Sequence, residues 1–116
     1  MPNWRPESVG REIRQVLSDL VQNRLKDPGI GYVTVTGVKV SQDIRSARVF
    51  VSVMGDEAAR AGSLEALERA KVFLRRELSQ AMRLRFTPEL SFAYDDSIER
   101  GAKINKLLDK LHADES

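Results

Sequence analysis

The sequence predicts a two-layer α+β domain, a three-stranded mixed sheet with helices on one face. Apolar residues recur at three- and four-residue spacing in some stretches and alternate in others, in the order helix, strand, strand, helical region, strand, helix. The second and third strands lie more than 30 residues apart, room for a right-handed crossover that returns them parallel. A chain of 116 residues, 41% of them hydrophobic, can fill one core between such layers. One domain spanning residues 1–116 is therefore expected, with an ordered core over about 5–111.

Residues 6–26 predict an amphipathic helix. Val9, Ile13, Val16, Leu17, Leu20, Val21 and Leu25 form the apolar stripe, and Pro6 suits the first turn, where a missing N–H costs nothing. Asp27-Pro28-Gly29 should end it, because a proline disfavours helical geometry in the residue before it. Trp4, just ahead of the helix, is expected to be a packing anchor rather than a base-stacking residue.

Val33 to Val40 predicts the first strand, with a slip in parity: Val33 and Val35 share one face, Val38 and Val40 the other. Gly37 sits at the slip, so a bulge is expected there. After the polar turn Ser41–Ser46, residues Ala47–Met54 alternate strictly, and the short connection predicts an antiparallel hairpin. Phe50 is the exception on the outer face, expected to be covered by the edge of the second layer rather than available for stacking.

Gly55 to Gly62 reads as a connection, with Ser63 as N-cap and Glu65 near the positive end of the following helix. Leu64, Leu67, Ala70, Leu74, Leu78, Ala81 and Met82 then form a broad apolar arc. Arg69, Arg76 and Arg83 stand seven apart on the other side, a line about 20 Å long on an unbroken helix. Val72 projects with these arginines, Lys71 lies near the apolar arc and Glu77 interrupts it. Periodicity does not decide between a continuous helix and one broken near Ala70–Val72. Pro88 closes the region; Leu90, Phe92 and Tyr94 alternate as the third strand. Asp95-Asp96-Ser97 caps a last helix that carries Ile98, Ile104, Leu107, Leu108 and Leu111. A helical pair between parallel strands is a topology shared by KH-type RNA-binding folds.

Charge narrows the chemistry. Residues 69–85 hold six Lys/Arg against one Glu, net +5, in a chain of net +2; the remaining residues carry −3, 13 basic against 16 acidic. Such concentration is the footprint of a polyanion-binding surface. The candidate RNA-binding residues are Arg69, Lys71, Arg75, Arg76, Arg83 and Arg85. If all six met phosphates, the log–log salt slope would approach about −5.

Zero cysteines exclude disulfides and thiolate zinc sites, and the only histidine, His112, sits near the end of the sequence. No catalytic residue, metal site or cofactor is expected. No apolar run reaches the roughly 20 residues of a membrane span, and the N-terminus has no hydrophobic signal region. A cytoplasmic binding protein without a small-molecule substrate follows. One enzymatic alternative is a Mg²⁺-dependent nuclease built on Asp95, Asp96 and Glu99, although helix capping accounts for the same acids.

Several segments together resemble the ribosome-binding factor A family: Asp27–Gly31, Val35–Asp43, Ala47–Val51 and, most specifically, Ala81–Ser97. They run in the family's order over about residues 5–111. The resemblance implies a KH-like fold of the helix-first type (type II). It implies binding to the small (30S) ribosomal subunit through 16S rRNA, a non-catalytic role in processing the 5′ end of that rRNA, and importance during cold growth. A monomer is expected. The resemblance places the family's Ala-x-Gly kink on Ala70-Lys71-Val72, where valine replaces the glycine; valine pays more than glycine for strained backbone, so the choice between a continuous and a kinked helix stays open. A module that reaches the ribosome through its proteins rather than its RNA is the remaining alternative.

Overall fold

The computed structural model describes residues 5–25, 27–84 and 86–114. Trp4 and Arg85 lie outside the described residues, as does the side chain of Ile98. The elements are α1 (Pro6–Asp19) continued by a π turn (Leu20–Arg24), β1 (Val33–Val40), β2 (Ser46–Val53), α2 (Glu57–Arg69), α3 (Lys71–Met82), β3 (Glu89–Tyr94) and α4 (Ser97–Asp114). The sheet order is β1-β2-β3, with β1 antiparallel and β3 parallel to the central strand. This is the two-layer, mixed-sheet KH-like architecture that the periodicity predicts.

Val9, Ile13, Leu17 and Leu20 from the first helical segment meet Val35, Val49 and Val51 of the sheet and Leu67, Leu74 and Leu78 of the crossover helices. All are buried. The π turn closes with the Leu25 N–H donating to the Leu20 carbonyl, five residues back. Leu25 is then extended, so the helix stops before Asp27-Pro28-Gly29, as the proline requires.

The predicted bulge is present: the pairing shifts between Val35↔Val51 and Gly37↔Phe50, which leaves Thr36 as the extra residue. Its hydroxyl lies 3.2 Å from the Phe50 carbonyl oxygen and donates at 2.6 Å to Asp95 Oδ2. Asp95 Oδ1 accepts from the Ser97 N–H, so the acid both caps α4 and ties it to the bulge. The Thr36 hydroxyl, followed by the Ser97 N–H, holds the Asp95 carboxyl below its ordinary pKa of 3.8. The contact therefore adds stability above that ordinary value and gives it up as pH falls through the lower folded one. Thr36→Val should raise the Asp95 pKa toward 3.8, read by NMR titration, and flatten stability against pH below about 4. An unmoved Asp95 titration would remove the Thr36 hydroxyl as the cause.

One expectation needs correction. Ser63 is not an N-cap: α2 begins at Glu57, where Asp56 Oδ1 accepts the Ala59 N–H, and the Ala-rich run after Gly55 is already helical. Ser63 is instead buried within α2, its Oγ accepting the Gly31 N–H at 3.2 Å, and Glu65 is mid-helix. The crossover, whose continuity the spacing left open, is broken at Ala70. Ala70 turns at φ −83°, ψ −2°, right-handed backbone open to any residue, and Val72 already sits in the first turn of α3. In α4, Ile104, Leu107, Leu108 and Leu111 are all exposed and lie outside the core.

Candidate nucleic-acid interface

Leu74, Leu78 and Met82 recur every four residues and seat α3 in the core. That leaves the opposite stripe, Val72, Arg76 and Ser79, at steps of four and three, facing outward, with Arg83 exposed at the C-cap just beyond it. Val72 is 69% exposed, a large apolar residue in solvent beside two arginines. It projects with the arginines, as the helical wheel predicts.

The loop after α3 is drawn back against this stripe by Arg75. Its Nε donates to the Pro88 carbonyl at 3.1 Å and its Nη2 to the Thr87 carbonyl at 3.0 Å, with Glu89 Oε1 at 3.4 Å. Two carbonyls that no strand or helix satisfies thus receive a cation. The clamp brings Thr87 beside α3 and forms a shallow groove of about 260 Å³ lined by Val72, Arg75, Arg76, Ser79 and Thr87. Arg83 ends the helix at φ 52°, ψ 38°, left-handed backbone that costs a non-glycine residue roughly 1 kcal/mol. Neither Arg76 nor Arg83 forms an ion pair among the described residues.

The six candidate cations therefore divide. Arg76 and Arg83 are exposed and unpaired among the described residues. Arg75 is committed to the Thr87–Glu89 return. Arg69 pairs with Asp27 at 3.3 Å, its guanidinium against Gly29, where an added Cβ would come within 2.9 Å of Nη2. The Gly29 N–H, then Arg69, lowers the Asp27 pKa. Lys71 pairs with Glu68 at 2.6 Å. Arg85 is outside the described residues. The single line of arginines expected from the wheel does not form, because the break at Ala70 separates Arg69 from Arg76 and Arg83 leaves helical geometry. Surface pairs such as Arg69–Asp27 and Lys71–Glu68 contribute little, so a phosphate can displace them at small cost. Glu77, which interrupts the apolar arc, pairs with Arg24 at 2.7 Å across to the π turn. Val72 and Thr87 complete the groove; Thr87 had no signal in the sequence, since only the Arg75 clamp brings it there.

The acidic cluster is engaged elsewhere. Asp95 is held by Thr36 and Ser97. Glu99 Oε1 accepts from Arg60 and from the Tyr94 hydroxyl, each at 2.8 Å, while Arg60 lies 3.7 Å from the centroid of the Tyr94 ring. Asp96 pairs with Arg100. Among the described residues no group of three His, Cys, Asp or Glu could hold a metal ion. Nor is any helix of the described residues long and apolar enough to cross a membrane.

Comparison with known proteins follows this geometry. A family model described as ribosome-binding factor A matches residues 5–108. The chain belongs to the ribosome-binding factor A family. A relative named ribosome-binding factor A from Natranaerobius thermophilus is 44% identical over 115 residues, 99% of this chain and 88% of that protein. The crystal structure of ribosome-binding factor A from Thermus thermophilus superposes with a TM-score of 0.69 at 28% identity, covering 78% of this chain and 97% of that one. A homology model of the Thermus thermophilus factor, fitted into a cryo-EM map of its complex with the 30S subunit, gives 0.67 at 28% identity, covering 78% and 96%.

Proposed function

We propose that this family member is a non-catalytic assembly factor that acts as one KH-like domain on the small ribosomal subunit in the cytoplasm. The α3 stripe docks on 16S rRNA. The factor favours one rRNA conformation by binding it more tightly than its competitors, since equal affinity for both would shift nothing. Late maturation and trimming of the rRNA 5′ end then proceed on the favoured conformation, with the cutting done by other enzymes. The observation that carries this reading is the pair of exposed arginines without an ion-pair partner among the described residues, Arg76 on the outward stripe of a helix anchored in the core and Arg83 at that helix's C-cap. The Thermus factor's fit into a 30S complex supports the partner. The contacts held by Asp95 and Glu99 speak against the nuclease alternative, because both carboxylates are already taken by hydroxyl, amide and guanidinium donors.

The test is the salt dependence of binding to purified small subunits. Each phosphate contact contributes a log–log slope of about −0.9 on duplex and −0.7 on single strands. Arg76→Gln should make the slope shallower by about one of these units. Binding that is insensitive to salt and survives on a ribosomal-protein fraction free of rRNA would transfer the site to the protein-binding alternative.

A further inference from the structure

We propose that the outward face of the sheet, on the side away from α3, is a second RNA contact: a platform on which Phe50 stacks an unpaired base of single-stranded RNA while Lys39 and Arg48 hold its phosphates. This inference rests on the reading of the chain as an rRNA-binding factor and adds a face that the α3 stripe does not include.

Cross-strand register assembles the platform. Gly37 lies opposite Phe50 on one side and Ala93 on the other, so the smallest residues flank the ring in the middle strand. Phe50 is half-buried, and the residues directly opposite it on the two neighbouring strands are small. One step along, Lys39 stands directly opposite Arg48. Two like charges facing each other across strands are destabilising. Both are exposed, and neither forms an ion pair among the described residues. The Arg48 guanidinium sits 5.8 Å from the centroid of the Phe50 ring, so cation and aromatic face form one surface.

Gly37 supplies the second, independent observation. The bulge does not need a glycine there: Gly55 is the one glycine among the described residues with positive φ, and the extra residue is Thr36. Packing does not need it either, since a Cβ built on Gly37 meets nothing within 4 Å. A glycine in a strand forgoes side-chain packing, and one common reason is the close approach of a ligand. Here the open space lies beside an aromatic ring with two unneutralised cations next to it. An apolar protein partner would have to desolvate both cations without compensation. A nucleotide strand matches all three features: a base for the ring, phosphates for the cations, and no side chain in its way.

Anisotropy of the full chain with a labelled single-stranded RNA of about eight nucleotides, and separately with a short RNA duplex, tests the platform. Phe50→Ala should weaken single-strand binding between about 5-fold and 150-fold, the range for removing one base–aromatic stack, and leave duplex affinity within about twofold. Gly37→Val is the sharper variant, because a β-branched residue in a strand raises thermal stability while its side chain fills the base's place and weakens single-strand binding. Opposite signs in the two readouts are what a merely structural glycine would not produce. Lys39→Glu with Arg48→Glu should flatten the single-strand salt slope by about 1.4. Wild-type protein that ignores the single strand, or Phe50→Ala and Gly37→Val both within about twofold of wild type, overturns the platform. So does Phe50→Ala that loses subunit binding but keeps single-strand binding, which marks a protein-facing surface. The two readings fail separately: loss of the platform leaves Arg76-dependent subunit binding standing, and an inert Arg76 leaves single-strand stacking standing.

Discussion

Replacing Arg76 and Arg83 together by glutamate lowers affinity for the small ribosomal subunit on the order of 100-fold or more at about 0.1 M salt. A charge-assisted hydrogen bond contributes roughly 1.5–3 kcal/mol, so losing two removes about 3–6 kcal/mol before repulsion by the phosphates is added. At that salt the Debye length is about 10 Å, and contacts made at the surface itself escape most of the screening. The fold should survive, because both side chains are exposed and Arg76 exchanges one good helix former for another. Co-sedimentation with purified subunits, alongside circular dichroism of the variant, reads both quantities. A change of less than about threefold in affinity would dismiss the α3 stripe as the docking face. Arg75→Gln is the matching control. It strips donors from the Thr87 and Pro88 carbonyls and so costs about 1–3 kcal/mol of stability, with the effect on RNA passing through the groove rather than through a lost phosphate contact.

The second large effect is on stability. Leu74 is fully buried in α3 and packs in the cluster that joins α1, the crossover helices and the sheet. Leu74→Ala removes that packing and leaves a cavity, at a cost of about 2–5 kcal/mol. Against a total of roughly 5–15 kcal/mol for a domain, this is a large fraction. Urea unfolding should show a lower midpoint with an unchanged slope. A loss below about 1 kcal/mol would mean that the neighbours collapse into the space. Because α3 carries Arg76 on its other side, the same variant should also weaken subunit binding as temperature approaches its lowered melting point.

Much of the fold was legible in the residues. Alternation in β2 and the parity slip in β1 located the hairpin and its bulge, because strand side chains alternate faces and an unpaired residue must break that period. The break at Ala70 was not decidable from spacing. It depends on a change in ψ at one alanine, a backbone angle that the spacing of apolar residues does not report. The start of α2 was misplaced because Gly55 and Gly62 bracket a run that looks like a loop. Gly62 is helical all the same, and Asp56 sets the true cap seven residues ahead of Ser63.

Residue types and their spacing along the chain were enough to establish the order of elements, the family and the concentration of positive charge on the crossover, since all three survive without coordinates. Which cations are free to meet RNA emerged only from the folded arrangement. Arg75 is consumed by carbonyls 12 and 13 residues away, Arg69 by a carboxylate 42 residues away, while Arg76 and Arg83 have no such partner among the described residues. A helical wheel gives the direction in which a side chain leaves its helix. What it meets there is set by the packing of distant segments, and that is why a charge count named six candidates and the fold left two of the five described ones without an ion pair or clamp.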